Sequence, residues 1–205
     1  MTAMPAVGKL LAHAAPRTGA VATQARTNPY LGLDGIALLH QRLSAEDVLR
    51  TLKHADPRIE ARQVAVIDAA GRTASFTGAE CTPYAGALES EGCSIQGNRL
   101  AGHQVLEAAL AAFQMHEQKE LPERMIEALC AGDAAGGDRH EEESASIYVV
   151  DVEDYPLWDI RVDQHDQPLL ELRRLHRVFR ERLLPEILRM PTRENPGGKV
   201  DESEA

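Results

Sequence analysis

Gly19-Ala20-Val21-Ala22-Thr23-Gln24 and Gln63-Val64-Ala65-Val66-Ile67-Asp68-Ala69 decide how this chain folds. The first run is small, β-tolerant and bounded by turn residues, which reads as a buried strand. In the second, Val-Ala-Val-Ile is too continuous for a surface strand. Ala70-Gly71 turns the chain, and Arg72 to Thr77 returns as the partner of a hairpin.

Working outward, Asn28-Pro29 breaks the chain after the first strand, and Ile36, Leu38, Leu39 and Leu43 follow at helical spacing. Ser44, with Asp47 three residues on, predicts a helix start; that helix carries Val48, Leu49 and Leu52 and stops at Asp56-Pro57. Further strands are predicted at 85–90 and 92–96, then helices at 104–117 and 122–131, Pro122 suiting a first turn. A polar loop over 132–143 leads to strands at 144–152 and 158–162. A long helix is predicted over 167–189, with Leu169, Leu172, Leu175, Phe179 and Leu183 on one face and Pro185 kinking or ending it. It either covers a sheet or joins two subunits, so a homodimer is a possible assembly. Residues 1–190 read as a single domain and 191–205 as a disordered acidic tail. Strands, helices and strands again favour an α+β arrangement of antiparallel sheets covered by helices over a parallel α/β sheet.

With 32 acidic against 22 basic residues, the net charge is −10, which repels nucleic acid and anionic lipid. No apolar run reaches the roughly 20 residues that span a bilayer. Three cysteines, Cys81, Cys93 and Cys130, without a Cys-x-x-Cys pair, argue against a disulfide framework and a zinc site and for a reducing, cytoplasmic setting. The eight histidines are scattered and show no ligand spacing. No metal or other cofactor is expected.

Three polar clusters sit where a core would not ask for them: Thr23-Gln24 to Asn28-Pro29, Thr77-Gly78 through Glu80 to Gln96-Gly97-Asn98, and Gly136-Gly137-Asp138-Arg139. Each also has a plain structural reading. Asn28-Pro29 can initiate a turn, Gln96-Gly97-Asn98 can join a strand to a loop, and Asp138-Arg139 can be a surface ion pair.

Taken together these stretches resemble one bacterial family, the domain of unknown function 1028, grouped with the N-terminal-nucleophile (Ntn) hydrolases. The motifs are Gly19 to Gln24 with Thr27-Asn28-Pro29, Phe76-Thr77-Gly78-Ala79-Glu80-Cys81, Gln96-Gly97-Asn98 with Leu100-Ala101-Gly102, Ala134 to Arg139 with Ser144-Ala145, and Asp159 to Asp163. The resemblance covers roughly residues 6–177. It implies a four-layer α-β-β-α sandwich with antiparallel sheets. It also implies a small-molecule substrate, and an amide hydrolase in which a terminal Thr, Ser or Cys attacks the carbonyl while its own α-amine acts as base. On that reading Asn98 is the oxyanion donor, Asp138 orients the amine and Arg139 grips a substrate carboxylate. Thr23, Gln24, Asn28 and Glu80 line the site.

The chain departs from the family pattern in two places. Relatives carry a glutamine just before the Ser-Ala pair, where this chain has Glu143. The family's opening strand, turn and strand are not found ahead of Ala6, so the domain is expected to be N-terminally incomplete, with its start codon placed too far downstream. Three expectations follow: Thr2 lies away from the nucleophile's place, the enzyme is inactive as written, and one sheet has an unpaired inner edge or a groove near Gly19–Gln24. The alternative function is a non-catalytic ligand-binding or structural protein on the same scaffold.

Overall fold

In the computed structural model, which describes residues 1–199, two polar side chains set the first helices. Asn28 Oδ1 accepts from Tyr30 N (3.2 Å) at the start of α1 (Pro29–His40). Ser44 Oγ accepts from Asp47 N (3.2 Å) and donates to the Asp47 carboxylate (2.7 Å), starting α2 (Ala45–Ala55). Both helices lie on a four-stranded antiparallel sheet of order β1 (Ala12–Ala15), β2 (Gly19–Ala25), β3 (Arg62–Asp68), β4 (Thr73–Thr77). Val21, Val64 and Val66 meet Leu31, Leu39, Val48, Leu49 and Leu52 in that core.

The expected unpaired inner edge at Gly19–Gln24 is not there. β2 is paired on both sides, by β1 with Ala12 opposite Ala22 and by β3 with Gln24 opposite Gln63. Ala-His-Ala-Ala carries little β propensity of its own; it is a strand because β2 offers it a ladder. A groove does exist, and it opens at the C-terminal end of β2.

Successive strand residues face opposite ways, so Gln63 and Ala65 turn away from the helices towards a hairpin, β5 (Gly86–Ser90) and β6 (Cys93–Gly97). An α-hairpin follows, α3 (Gln104–Met115) and α4 (Leu121–Ala134). Leu100, Val105 and Leu106 pack with Leu88 and Ile95 of the β-hairpin. A third antiparallel pair, β7 (Ala145–Val149) and β8 (Trp158–Val162), packs Ile147, Trp158 and Ile160 against Ile126 of α4 and Leu169 and Leu172 of α5 (Pro168–Arg182). α5 thus covers a sheet. Pro185 ends it and falls in the first turn of the short α6 (Leu184–Ile187), which leaves Leu183, expected on the apolar face, 42% exposed. The fold is α+β with antiparallel sheets, as expected. Residues 191–199 form neither helix nor strand, but Tyr155 Oη donates to Pro191 O (3.1 Å) and Arg193 N to Glu153 (3.2 Å). The rest of the expected tail, 200–205, lies outside the described residues.

His176 of α5 stacks on Trp158 with ring centroids 5.0 Å apart, and its Nε2 is buried without a hydrogen-bond partner among the described residues. Burial lowers its pKa below the ordinary 6.5, Glu123 opposing the shift and Arg180 adding to it. The unfolded chain takes up this proton near the ordinary value while the folded chain resists it. This contribution to stability is therefore complete above the ordinary value and is lost as the pH falls below it towards the depressed one. Urea midpoints at pH 7.5 and 5.5 are expected to differ more for the wild type than for His176→Phe.

Candidate functional site

The cleft at the end of β2 encloses about 740 Å³, a volume suited to a small molecule. Its polar wall is organised from beneath by Gln63, which is fully buried. The Gln63 amide donates to Thr77 Oγ1, Gly86 O and Gly97 O, each at 2.9 Å. Its Oε1 accepts from Gln24 Nε2 (2.6 Å) and Asn98 Nδ2 (3.4 Å). One side chain thus ties β4, β5 and β6 together and holds the Gln24 and Asn98 amides, which line the cleft.

A second wall comes from the loops after β6 and α4. Arg99 Nη2 donates to Asp138 Oδ2 (2.8 Å), Asp138 N donates to Glu142 Oε1 (3.0 Å) and His140 N donates to Asp138 Oδ1 (2.9 Å). Arg139 N reaches Arg99 O (2.9 Å) and Ala101 N reaches Gly137 O (3.0 Å), so the loops form a short ladder. Gly136 (φ +125°) and Gly137 (φ +51°) make this turn in backbone conformations that L side chains rarely adopt. Gly78 has a different reason to be glycine: a Cβ there would stand 2.2 Å from Glu60 O.

The third wall is the start of the chain. Thr2 N donates to Ser144 O (3.0 Å), Glu143 N and Ser144 N donate to Thr2 O, and Ser144 Oγ donates to Met4 O (2.7 Å). Met1 and Thr2 line the cleft with Gln24, Asn98, Asp138 and Glu142. Burial pushes the Met1 α-amine pKa down, and the Glu142 carboxylate pulls it back up. Pairing with Ser144 carries Thr2 to the cleft wall.

Among the expected site residues, Gln24, Glu80, Asn98 and Asp138 share the cleft. Thr23 does not, because strand alternation turns it to the opposite face from Gln24, where it is fully buried with its hydroxyl unpartnered among the described residues. Asn28 caps α1 and donates to Asp56 (2.9 Å), away from the cleft. Arg139 is exposed and absent from the lining; the guanidinium beside Asp138 belongs to Arg99 instead. Glu142 lines the cleft, and Glu143 does not. Sequence reading passed over Gln63, Arg99 and Arg26 as site residues. The available signal for Gln63 was a long amide directly before the apolar run Val64 to Ile67, and for Arg99 its place directly after the Gln-Gly-Asn motif.

The sequence profile of a family of unknown function, DUF1028, matches residues 1–172. The chain belongs to the DUF1028 family. Every cleft residue, from Met1 to Glu142, falls within the DUF1028 span. A crystal structure of a DUF1028 protein from Silicibacter pomeroyi superposes with a TM-score of 0.87 at 25% identity, over 98% of this chain and 90% of that one. No curated protein matches the chain. Among the described residues no group of three or more His, Cys, Asp or Glu is placed to hold a metal ion, and no helix is long and apolar enough to cross a membrane.

Proposed function

We propose that this protein is an amide hydrolase of the Ntn type acting on a small molecule in the cleft, with the Thr2 hydroxyl as attacking group once Met1 is removed. The observation that carries the reading is that Thr2 lines the same cleft as the Asn98 and Gln24 amides. The layering supports it: α1 and α2, then the four-stranded sheet, then the β5–β6 hairpin, then α3, the order of an α-β-β-α sandwich. Two buried thiols, Cys81 and Cys93, raised in pKa by burial, and a third free cysteine support a reducing compartment such as the cytoplasm.

In this mechanism the freed Thr2 α-amine, oriented by the Ser144 carbonyl, takes the hydroxyl proton as Oγ attacks the substrate carbonyl carbon. The Asn98 Nδ2–H donates to the oxyanion that forms. The amine then delivers the proton to the leaving nitrogen, the C–N bond breaks, and an ester to Thr2 remains. Water attacks that ester, its proton returns to Thr2 Oγ through the amine, and the acid is released. Asp138 acts on structure: through Arg99 and the Glu142 contact it holds the loop that walls the cleft.

The test is turnover of a panel of small amides by the wild type, Thr2→Ser and Thr2→Ala, with the intact mass of each. Wild-type protein lacking Met1 is expected to hydrolyse at least one amide, Thr2→Ser to keep part of the rate, and Thr2→Ala to lose it by about a hundredfold or more while unfolding at the same temperature. Full turnover by Thr2→Ala, or activity in protein that retains Met1, overturns the assignment.

A further inference from the structure

We infer that the cleft takes amides of the N-acyl amino acid class, with Arg26 holding the free carboxylate; this rests on the hydrolase reading of the same cleft. The inference comes from the two kinds of side chain on its walls. Val7, Leu100, Val105, Leu106 and Leu129 are apolar liners. Gln24, Asn98 and Thr82 line it too, together with charged groups. A ligand that satisfies both kinds of surface has an apolar body joined through an amide to a polar, charged end.

The sign of that end follows from pairing the cleft's charges. Arg99 is bound to Asp138 at 2.8 Å. Glu80 lies 4.0 Å from Arg58, and Glu142 accepts from Asp138 N and faces the Met1 amine. Arg26 alone among the described cleft cations has a guanidinium without a partner, although its backbone is fixed: Arg26 N donates to Ala61 O (3.1 Å) and Arg26 O accepts from the Arg62 guanidinium. Ala25, at φ +67°, turns the chain out of β2 just before it, so Arg26 stands on the cleft wall and does not continue the ladder. In a chain of net charge −10, an unpaired guanidinium beside an apolar groove is a local anion site, and a carboxylate matches its planar fork.

Calorimetric titration of the Thr2→Ala protein, which binds without turnover, tests this with N-octanoylglycine, its methyl ester and N-acetylglycine. The acid is expected to bind about tenfold tighter than the ester, and N-octanoylglycine tighter than N-acetylglycine. Arg26→Gln is expected to erase the preference for acid over ester, and Arg26→Lys to keep part of it. Arg26 is exposed, so both variants should unfold with the wild type. Equal affinity for acid and ester, or a preference that survives Arg26→Gln, overturns the inference. If the preference holds but the wild type cleaves no amide, the ligand class stands and the hydrolase reading fails. If neutral octanamide is cleaved and no acid preference exists, the reverse is true.

Discussion

Gln63→Leu is expected to lower stability by about 3–5 kcal/mol, read as a shift in the urea midpoint at unchanged slope. The shape of the side chain is nearly conserved, so lost packing is a small part of this effect. The larger part is polar. The substitution strips the donors from Gly86 O and Gly97 O and removes the acceptor of Gln24 Nε2 and Asn98 Nδ2. Each buried group left without a partner costs about 1–3 kcal/mol. Gln63→Glu is a sharper test. It keeps the acceptor for Gln24 but sets an anion against Thr77 Oγ1 and two carbonyl oxygens, so it is expected to be no better than leucine. Because Gln63 aligns the Gln24 and Asn98 amides of the cleft, either change should also weaken ligand binding where the protein remains folded.

Trp158→Ala is expected to cost about 3–5 kcal/mol, measured by denaturation followed by circular dichroism because the chain has one tryptophan. Trp158 is 3% exposed and takes part in two stacked contacts, with His176 at 5.0 Å and Phe179 at 4.8 Å between centroids. These contacts fasten α5 to β8. The indole cannot be replaced by collapse, since β8 is held in register by β7 with Trp158 opposite Val149. Trp158 itself does not line the cleft. A stabilising condition that restores folding of Trp158→Ala should therefore restore ligand binding, which it should not do for Gln63→Leu.

Much of the fold was legible because it is written in periodicity and in chain-local chemistry. The continuous apolar run of β3, the Ser44 cap with Asp47, Pro122 in a first turn and Pro185 at the end of α5 are each decided within a few residues. β1 was illegible because nothing in Ala-His-Ala-Ala favours a strand except the partner it meets. The candidate site was legible as motifs and misread as contacts. Gln24 and Thr23 are neighbours in sequence, but alternation sends one to the cleft and the other to the core. Asp138-Arg139 reads as a pair, yet the ion pair forms across two loops with Arg99, 39 residues away. The expectation for Thr2 relied on alignment to a strand, while its place is set by the Ser144 carbonyl and amide, 142 residues distant. Long-range pairing of this kind leaves no local signal.

Whether the Thr2 hydroxyl accepts the acyl group in this cleft is decided by incubating the protein with an activated octanoyl ester, quenching in acid, and mapping the adduct by peptide mass spectrometry. A single octanoyl group is expected on the peptide that begins at Thr2, absent from Thr2→Ala and reduced when Asn98 is changed to alanine. An adduct on any other residue, or equal labelling of the Thr2→Ala protein, would contradict it.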